Sequence, residues 1–343
     1  MDATIRGAGI FGLSCAWALT KRGARIRVID PHGLATGASG GIVGALAPHV
    51  PENWNPKKAF QLDSLLMAEA WWAEVAEIGG GDPGYARLGR LQPIPDVSAR
   101  ALAETRAEGA RALWGQAATW AVTRAPEGWS PGTEDVIHDT LSARLHPRRA
   151  CHALADALLA RGTEIVAEGP EEGPVIHATG HAGLDTLREP SGRAAGSGVK
   201  GQAILLDFDR RDAPQLFADG LHIVPHADGT TAVGSTSERA WDDPSATDGQ
   251  LDALLDRAVA IVPDLARAPV LERWAGVRPR ARSRAPLLGQ WPEKAGHFVA
   301  NGGFKIGFGI APKVGEVMAE LVLEGRDTIP DGFKPVARAT RGA

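Results

Sequence analysis

Gly7-Ala8-Gly9-Ile10-Phe11-Gly12 lies between a short β-like run, Ala3 to Arg6, and an apolar helical pattern of Phe11, Cys15, Ala18 and Leu19. The stretch has the form GxGxxG. In such a turn Gly7 permits the tight passage from strand to helix, Gly9 lets a pyrophosphate approach the backbone, and Gly12 lets the helix pack closely on its strand. Ile10 and Phe11 then open a helix whose N-terminus supplies the positive end for a phosphate. Gly23 ends that helix, and Arg25 to Ile29 forms a second strand followed by Asp30, an acid placed to accept hydrogen bonds from a ribose diol. A carboxylate there favours a ribose without a 2′-phosphate. Strand, glycines, helix, strand and acid in this order specify a Rossmann-like α/β unit for a dinucleotide. They do not choose between NAD and FAD.

The next stretch does, through resemblance. Gly37-Ala38-Ser39-Gly40-Gly41, then Gly44-Ala45-Leu46-Ala47-Pro48, is by composition a flexible glycine loop, whose small residues would let a large planar cofactor lie against main chain. This loop resembles the flavin-contacting loop of the D-amino acid oxidase and glycine oxidase (DAO) superfamily of FAD enzymes. The resemblance implies FAD, with Ala38, Ser39, Gly44, Ala45 and Leu46 along its pyrophosphate and flavin. The C-terminal third holds no cysteine, where related sarcosine oxidases tether their flavin, so the FAD is expected to be noncovalent.

The resemblance extends over nearly the whole chain and is strongest at residues 4–48 and 274–323. After Glu164-Ile165-Val166, a strand closing in Ala178-Thr179-Gly180 resembles the return of the chain to the FAD-binding sheet, which implies Val166, Thr179 and Gly180 at the cofactor. Trp274 to Pro279 is similar to the segment whose arginine holds the substrate carboxylate, and Arg278 matches that arginine. A planar guanidinium suits the task because two parallel hydrogen bonds fix both position and rotation. The neighbouring Arg280, Arg282 and Arg284 read as an arginine-rich surface turn. Asn301 to Pro312 looks like the closing motif, which implies Gly303, Phe304, Lys305, Ile306 and Gly307 under the flavin's pyrimidine end. Lys305 stands where glycine oxidases carry an arginine.

One departure matters. Many relatives place a tyrosine over the substrate from the strand matched by Leu221 to Pro225, whereas the single tyrosine of this chain is Tyr85. His222 occupies the approximate position, either hydrogen-bonding substrate or serving as a structural histidine. His49, just past the flavin loop, is either a cavity residue or a loop histidine. Trp54, Trp71 and Trp72 read as core or cavity wall.

At 343 residues the chain exceeds one core, so two domains are expected. The helix from Lys58 to Val75 is stopped by the glycines at 79–81. The expected FAD-binding domain is discontinuous, 1–80, 140–198 and 273–343, with residues 81–139 and 199–272 forming a mainly antiparallel substrate domain. The fold is therefore α/β, of the glycine oxidase and p-hydroxybenzoate hydroxylase kind. A net charge of −4 argues against a dedicated nucleic-acid or membrane surface. Two cysteines, Cys15 and Cys151, suggest neither a disulfide framework nor a metal site. Six residues before Gly7 leave no room for a leader, so the cytoplasm is expected. The residues after Pro335 read as a frayed end.

The expected function is FAD-dependent oxidation of an amine or amino acid, by hydride transfer from the amine-bearing carbon to flavin N5. Oxygen or another acceptor takes the electrons, and a homo-oligomer stays open. Two alternatives are an FAD-dependent oxidoreductase of tRNA wobble-uridine modification, which needs a basic RNA surface, and a non-catalytic FAD-binding module.

Overall fold

The computed structural model describes residues 1–336, so the expected frayed end lies, apart from Val336, outside the described residues. Two large sheets organise it. The first has the spatial order Leu287–Gln290, His297–Asn301, Val175–His177, Ala3–Arg6, Ile26–Ile29, Glu164–Val166. All neighbours run parallel except the edge hairpin of Leu287–Gln290 with His297–Asn301. Helices Ile10–Lys21, Pro56–Gly79, Pro147–Ala160 and Gly307–Glu324 pack with this sheet around a continuous apolar core. Cys15, Trp17 and Trp72 are fully buried in it, and Trp71 nearly so. The central strands are buried at consecutive positions, Ala3, Thr4 and Ile5 in one and Val175 and Ile176 in its neighbour, because they are covered on both faces.

The glycine run ends the long helix as expected: Gly80 takes the left-handed conformation that a chain-terminating cap requires. A further helix spans Pro147–Ala160. Pro147 occupies its first turn, where a missing N–H costs nothing.

The second sheet has eight strands in the order Val270–Ala281, Gly196–Asp207, Thr230–Gly234, Leu221–Pro225, Gln215–Ala218, Arg90–Pro93, Asp135–Asp139, Trp120–Arg124. It is antiparallel but for one pair: Arg90–Pro93 runs parallel to Gln215–Ala218, joining two chain excursions edge to edge. The chain therefore passes between the two sheets inside long strands. Gly196–Asp207 and Val270–Ala281 each cross an expected domain boundary, at 198 and at 273.

Alternation gives this sheet two different faces. On one, Leu91, Leu216, Leu221, Ile223, Val233, Ile204 and Leu206 pack on helix Gln250–Ile261 through Leu251, Leu254 and Ala258. On the other, a row crosses the sheet in register: Trp274 opposite Ala203, Ala203 opposite Gly234, Gly234 opposite His222, and His222 opposite Phe217. That row faces the loop of small residues from the first sheet, since Ile42 and Val43 pack with Ala203 and Trp274.

Candidate active site

Between the two sheets lies a cavity of about 780 Å³. One end is the strand-to-helix turn. Gly7 has φ +108°, and a Cβ there would stand 2.4 Å from the Ala178 carbonyl oxygen; a Cβ at Gly12 would stand 1.9 Å from the Gly7 carbonyl oxygen. Helix Ile10–Lys21 has no side-chain hydrogen bond at its N-cap and no acid in its first turn. Beyond the Ile10 N–H, its N-terminus meets the cavity without a capping side chain or an acid, which suits an anion. Ser39 Oγ accepts the Ile10 N–H at 2.9 Å and so fixes the loop against the helix. At Asp30, Oδ2 accepts the Ala8 N–H at 2.8 Å and Oδ1 the His32 N–H at 3.0 Å. The acid braces the turn, lines the cavity and keeps acceptor capacity beyond these two bonds.

Of the residues expected at the cofactor, Gly7, Gly9, Ile10, Phe11, Asp30, Ala38, Ser39, Gly44, Ala45, Thr179, Gly180, Gly303, Phe304, Lys305 and Gly307 line this cavity. Leu46 and Ile306 line a second, smaller chamber. Gly12 and Val166 line neither. Gly12 is turned inward against Gly7, and Val166 is used as a strand residue, paired with Ile29 and accepting the Asp30 N–H at 3.0 Å.

Arg278 reaches the cavity from the edge of the eight-stranded sheet. Its Nη2 donates to Ser235 Oγ at 2.7 Å and its Nη1 to the Thr236 carbonyl at 3.4 Å. The guanidinium lies over Gly201, where a Cβ would stand 1.9 Å from Nη1, so a side chain at that position would displace Arg278. Burial pushes the Arg278 pKa down to about 10, against a raising influence from Glu238; the group stays a cation at neutral pH. Of the other arginines in that run, Arg282 donates to the Ala194 carbonyl and pairs with Glu189, while Arg280 stacks over the Phe304 ring.

Lys305 sits at the junction of the two chambers. Burial, and secondarily Arg278 and Arg280, lower its pKa. Among the described residues its Nζ has no hydrogen-bond acceptor. The loop carrying it contains Phe304 at φ +45°, a conformation that non-glycine residues rarely hold. Helix Gly307–Glu324 follows, again with no side-chain cap and no acid in its first turn.

The smaller chamber, of about 180 Å³, is lined by His49, Gln61, Arg90, His222 and Lys305 among others. His222 also borders the large cavity. Its Nδ1 is buried without a partner, and burial, with Arg90 and Lys305 nearby, pushes its pKa down to about 3. It is therefore an uncharged imidazole at neutral pH, with its ring 4.6 Å from that of Phe217. His49 is held by Gln61, whose Oε1 accepts both its N–H, at 2.8 Å, and a ring N–H contact; burial lowers its pKa. Gln61 Nε2 in turn donates to the Ala47 carbonyl at 3.0 Å.

Sequence reading missed Arg90 and Gln61. Each is a polar residue within an otherwise ordinary strand or helix. Only the cross-strand register, and the seating of helix Pro56–Gly79 against residues 47–49, bring them here. Among the described residues no cluster of His, Cys, Asp and Glu can hold a metal, and no helix is long and apolar enough to cross a membrane.

Comparison with known proteins agrees with this geometry. The glycine oxidase of Geobacillus kaustophilus is 26% identical, over 96% of this chain and 94% of its own length. A crystal structure of glycine oxidase from that organism superposes with a TM-score of 0.83 at 22% identity, covering 100% of this chain and 99% of the other. The structure of an iminodiacetate oxidase from Chelativorans sp. BNC1 gives 0.84 at 22%, covering 98% and 100%. The DAO family profile, described as FAD dependent oxidoreductase, matches residues 2–321. An open helix N-terminus at a glycine turn, a braced carboxylate at the second strand and a cavity between two sheets thus have their family: this chain belongs to the DAO family of FAD-dependent oxidoreductases.

Proposed function

We propose that the chain oxidises an amine or amino acid with noncovalently held FAD. The observation that carries this reading is that one cavity joins the dinucleotide turn to Arg278 and Lys305, two cations suited to a substrate carboxylate. The names of the similar proteins, glycine oxidase and iminodiacetate oxidase, point the same way. When bound, FAD supplies the acceptor for the hydride that leaves the carbon beside the nitrogen.

The chain's own residues bind and orient. Gly7, Gly9, Ile10, Phe11 and Ser39 hold the pyrophosphate, and Asp30 the ribose. Ala38, Gly44, Ala45, Leu46, Thr179 and Gly180 give main chain and small side chains along the cofactor. Gly303, Phe304, Ile306 and Gly307 lead into a helix N-terminus that favours negative charge beside it. Arg278 clamps the carboxylate and Lys305 adds a second positive charge. His222, uncharged, offers a ring nitrogen to the substrate. His49 walls the smaller chamber. No side chain is asked to carry electrons, and orientation is the protein's main contribution.

Residues 1–80, 140–198 and 273–343 form, on this reading, the FAD-binding part, and 81–139 with 199–272 the substrate part. The exchange takes place within the strands Gly196–Asp207 and Val270–Ala281. We assign the enzyme to the cytoplasm, with oxygen or another small acceptor as its oxidant.

Acid precipitation should leave a yellow supernatant, because no cysteine lies in the C-terminal third to tether the flavin. Flavin retained on the pellet refutes noncovalent binding. Anaerobic bleaching of the flavin against a panel of amines and amino acids tests the reaction, and a flavin that none of them reduces refutes it. Asp30→Ala should weaken FAD binding by about ten- to a hundredfold, since a hydrogen bond to a charged group is worth about 1.5–3 kcal/mol. It should slow reduction of the FAD-saturated protein far less. Equilibrium titration of the apoprotein with FAD measures this, and an unchanged affinity removes Asp30 from the ribose.

A further inference from the structure

We propose that the substrate carries a second, side-arm carboxylate and that Arg90 receives it. The proposal rests on the oxidation reading above and narrows it to acidic amino acids. Arg90 opens the strand Arg90–Pro93 and stands directly opposite Asp139 on the neighbouring strand. The pair is buried, with side-chain exposures of 6% and 0%. It is also one-sided. Arg90 Nε donates to Asp139 Oδ2 at 2.9 Å, and Asp139 Oδ1 accepts the Ser142 N–H at 2.8 Å. Among the described residues, the two terminal nitrogens of Arg90 donate to no protein acceptor.

A buried guanidinium short of acceptors is costly, and its free end has the planar fork that a carboxylate matches with two parallel hydrogen bonds. The Arg90 guanidinium also rests against an aromatic ring, its Cζ 5.6 Å from the centre of Phe217. The chamber it faces contains Lys305, and among the described residues the Lys305 Nζ likewise lacks an acceptor and no acidic residue lines that chamber. His222, being uncharged, does not compete for an anion. The chamber joins the main cavity at Ala45, His222 and Lys305, and Arg278 lies on the main-cavity side. One molecule can therefore present its α-carboxylate to Arg278 and an acidic side arm to Arg90. An uncharged side arm leaves the Arg90 donors poorly matched, and that mismatch supplies selectivity.

The experiment compares anaerobic flavin reduction by both enantiomers of aspartate and glutamate, and by N-(carboxymethyl)glycine, with reduction by the corresponding amides. In the wild-type holoenzyme the acid should exceed its amide in kcat/KM by about tenfold or more, the worth of one charge-assisted pair. Arg90→Gln should bring that ratio near one. Because this change strands the Asp139 charge, the double variant Arg90→Gln/Asp139→Asn carries the same comparison without an unpaired buried group. A ratio near one in the wild type, or one unchanged in both variants, overturns the proposal. A second readout needs no turnover: titration of the flavin spectrum of the FAD-loaded protein with malonate or succinate, against acetate or propionate. The dicarboxylates should bind at least about tenfold more tightly, and the gap should close in the double variant. A flavin that no amino acid reduces, with the dicarboxylate preference present, refutes the oxidation reading alone. Reduction by glycine with acid and amide equal refutes the role of Arg90 alone.

Discussion

Arg278→Leu should lower the rate of anaerobic flavin reduction by amino acids by about two to four powers of ten, while FAD stays bound. Losing the partner of a buried carboxylate costs roughly 3–5 kcal/mol, which gives a rate effect of that order with subsaturating substrate. The structure sharpens the expectation. Arg278 is already anchored by Ser235 Oγ and the Thr236 carbonyl, so its direction is set before substrate arrives. Arg278→Lys should recover only part of the loss, because a point charge supplies neither the fork nor the bond to Ser235. Gly201→Ala should act through Arg278, since the new Cβ would fall within 2.3 Å of three guanidinium atoms. The decisive comparison is an amino acid against its decarboxylated amine. Simple amines should lose little in Arg278→Leu; equal losses for both would mean that Arg278 holds structure or flavin and not the carboxylate.

The second large effect is expected at the strand-to-helix turn. Gly12→Ala should weaken FAD binding by more than about a hundredfold, leaving a colourless protein after purification. A Cβ at Gly12 would lie 1.9 Å from the Gly7 carbonyl oxygen and 3.2 Å from Ile5 Cγ2. The obstructing atom is backbone, so the helix must lift from its strand, and overpacking of this kind costs about 1–3 kcal/mol or more. The lift moves the N–H groups of the first turn away from the pyrophosphate they must meet. Gly249→Ala is the control, because a Cβ there meets nothing within 4 Å and the backbone needs no positive φ. FAD titration of both apoproteins, with circular dichroism to confirm folding, separates a lost site from a lost fold. An unaltered affinity in Gly12→Ala would show that the turn does not need the close contact seen here.

Much of this was legible in the sequence because the constraints are local. A glycine turn followed by a helix and an acid after the second strand is dictated by backbone sterics over some thirty residues. The structure accordingly places Gly7, Gly9, Ile10, Phe11 and Asp30 together on one cavity. The loop with Ser39 was readable through its resemblance to the flavin loop of the DAO family; its small residues alone say only that main chain can be approached closely. Cys15 falls in the core because the helix that carries it is covered all round.

Other features depended on chain segments far apart. Asp30 was read as a ribose acceptor, yet it also braces Ala8 and His32, a duty visible only once the turn is closed. Val166 was expected at the cofactor; that its strand pairs beside Ile29 and that its carbonyl takes the Asp30 N–H is a matter of sheet order. Arg90 gave no local signal at all, because its burial, its one-sided pair with Asp139 and its exposure to the chamber come from the register between two short strands. The sequence by itself thus determined the dinucleotide turn, which backbone geometry sets within one segment, while the flavin loop, Arg278 and Lys305 were singled out by the resemblance of their segments to the DAO family. Only the tertiary structure decided which charges share a chamber and which donors are left without acceptors, because those follow from the packing of two sheets whose paired strands are distant along the chain, as Thr4 is from its partner Val175.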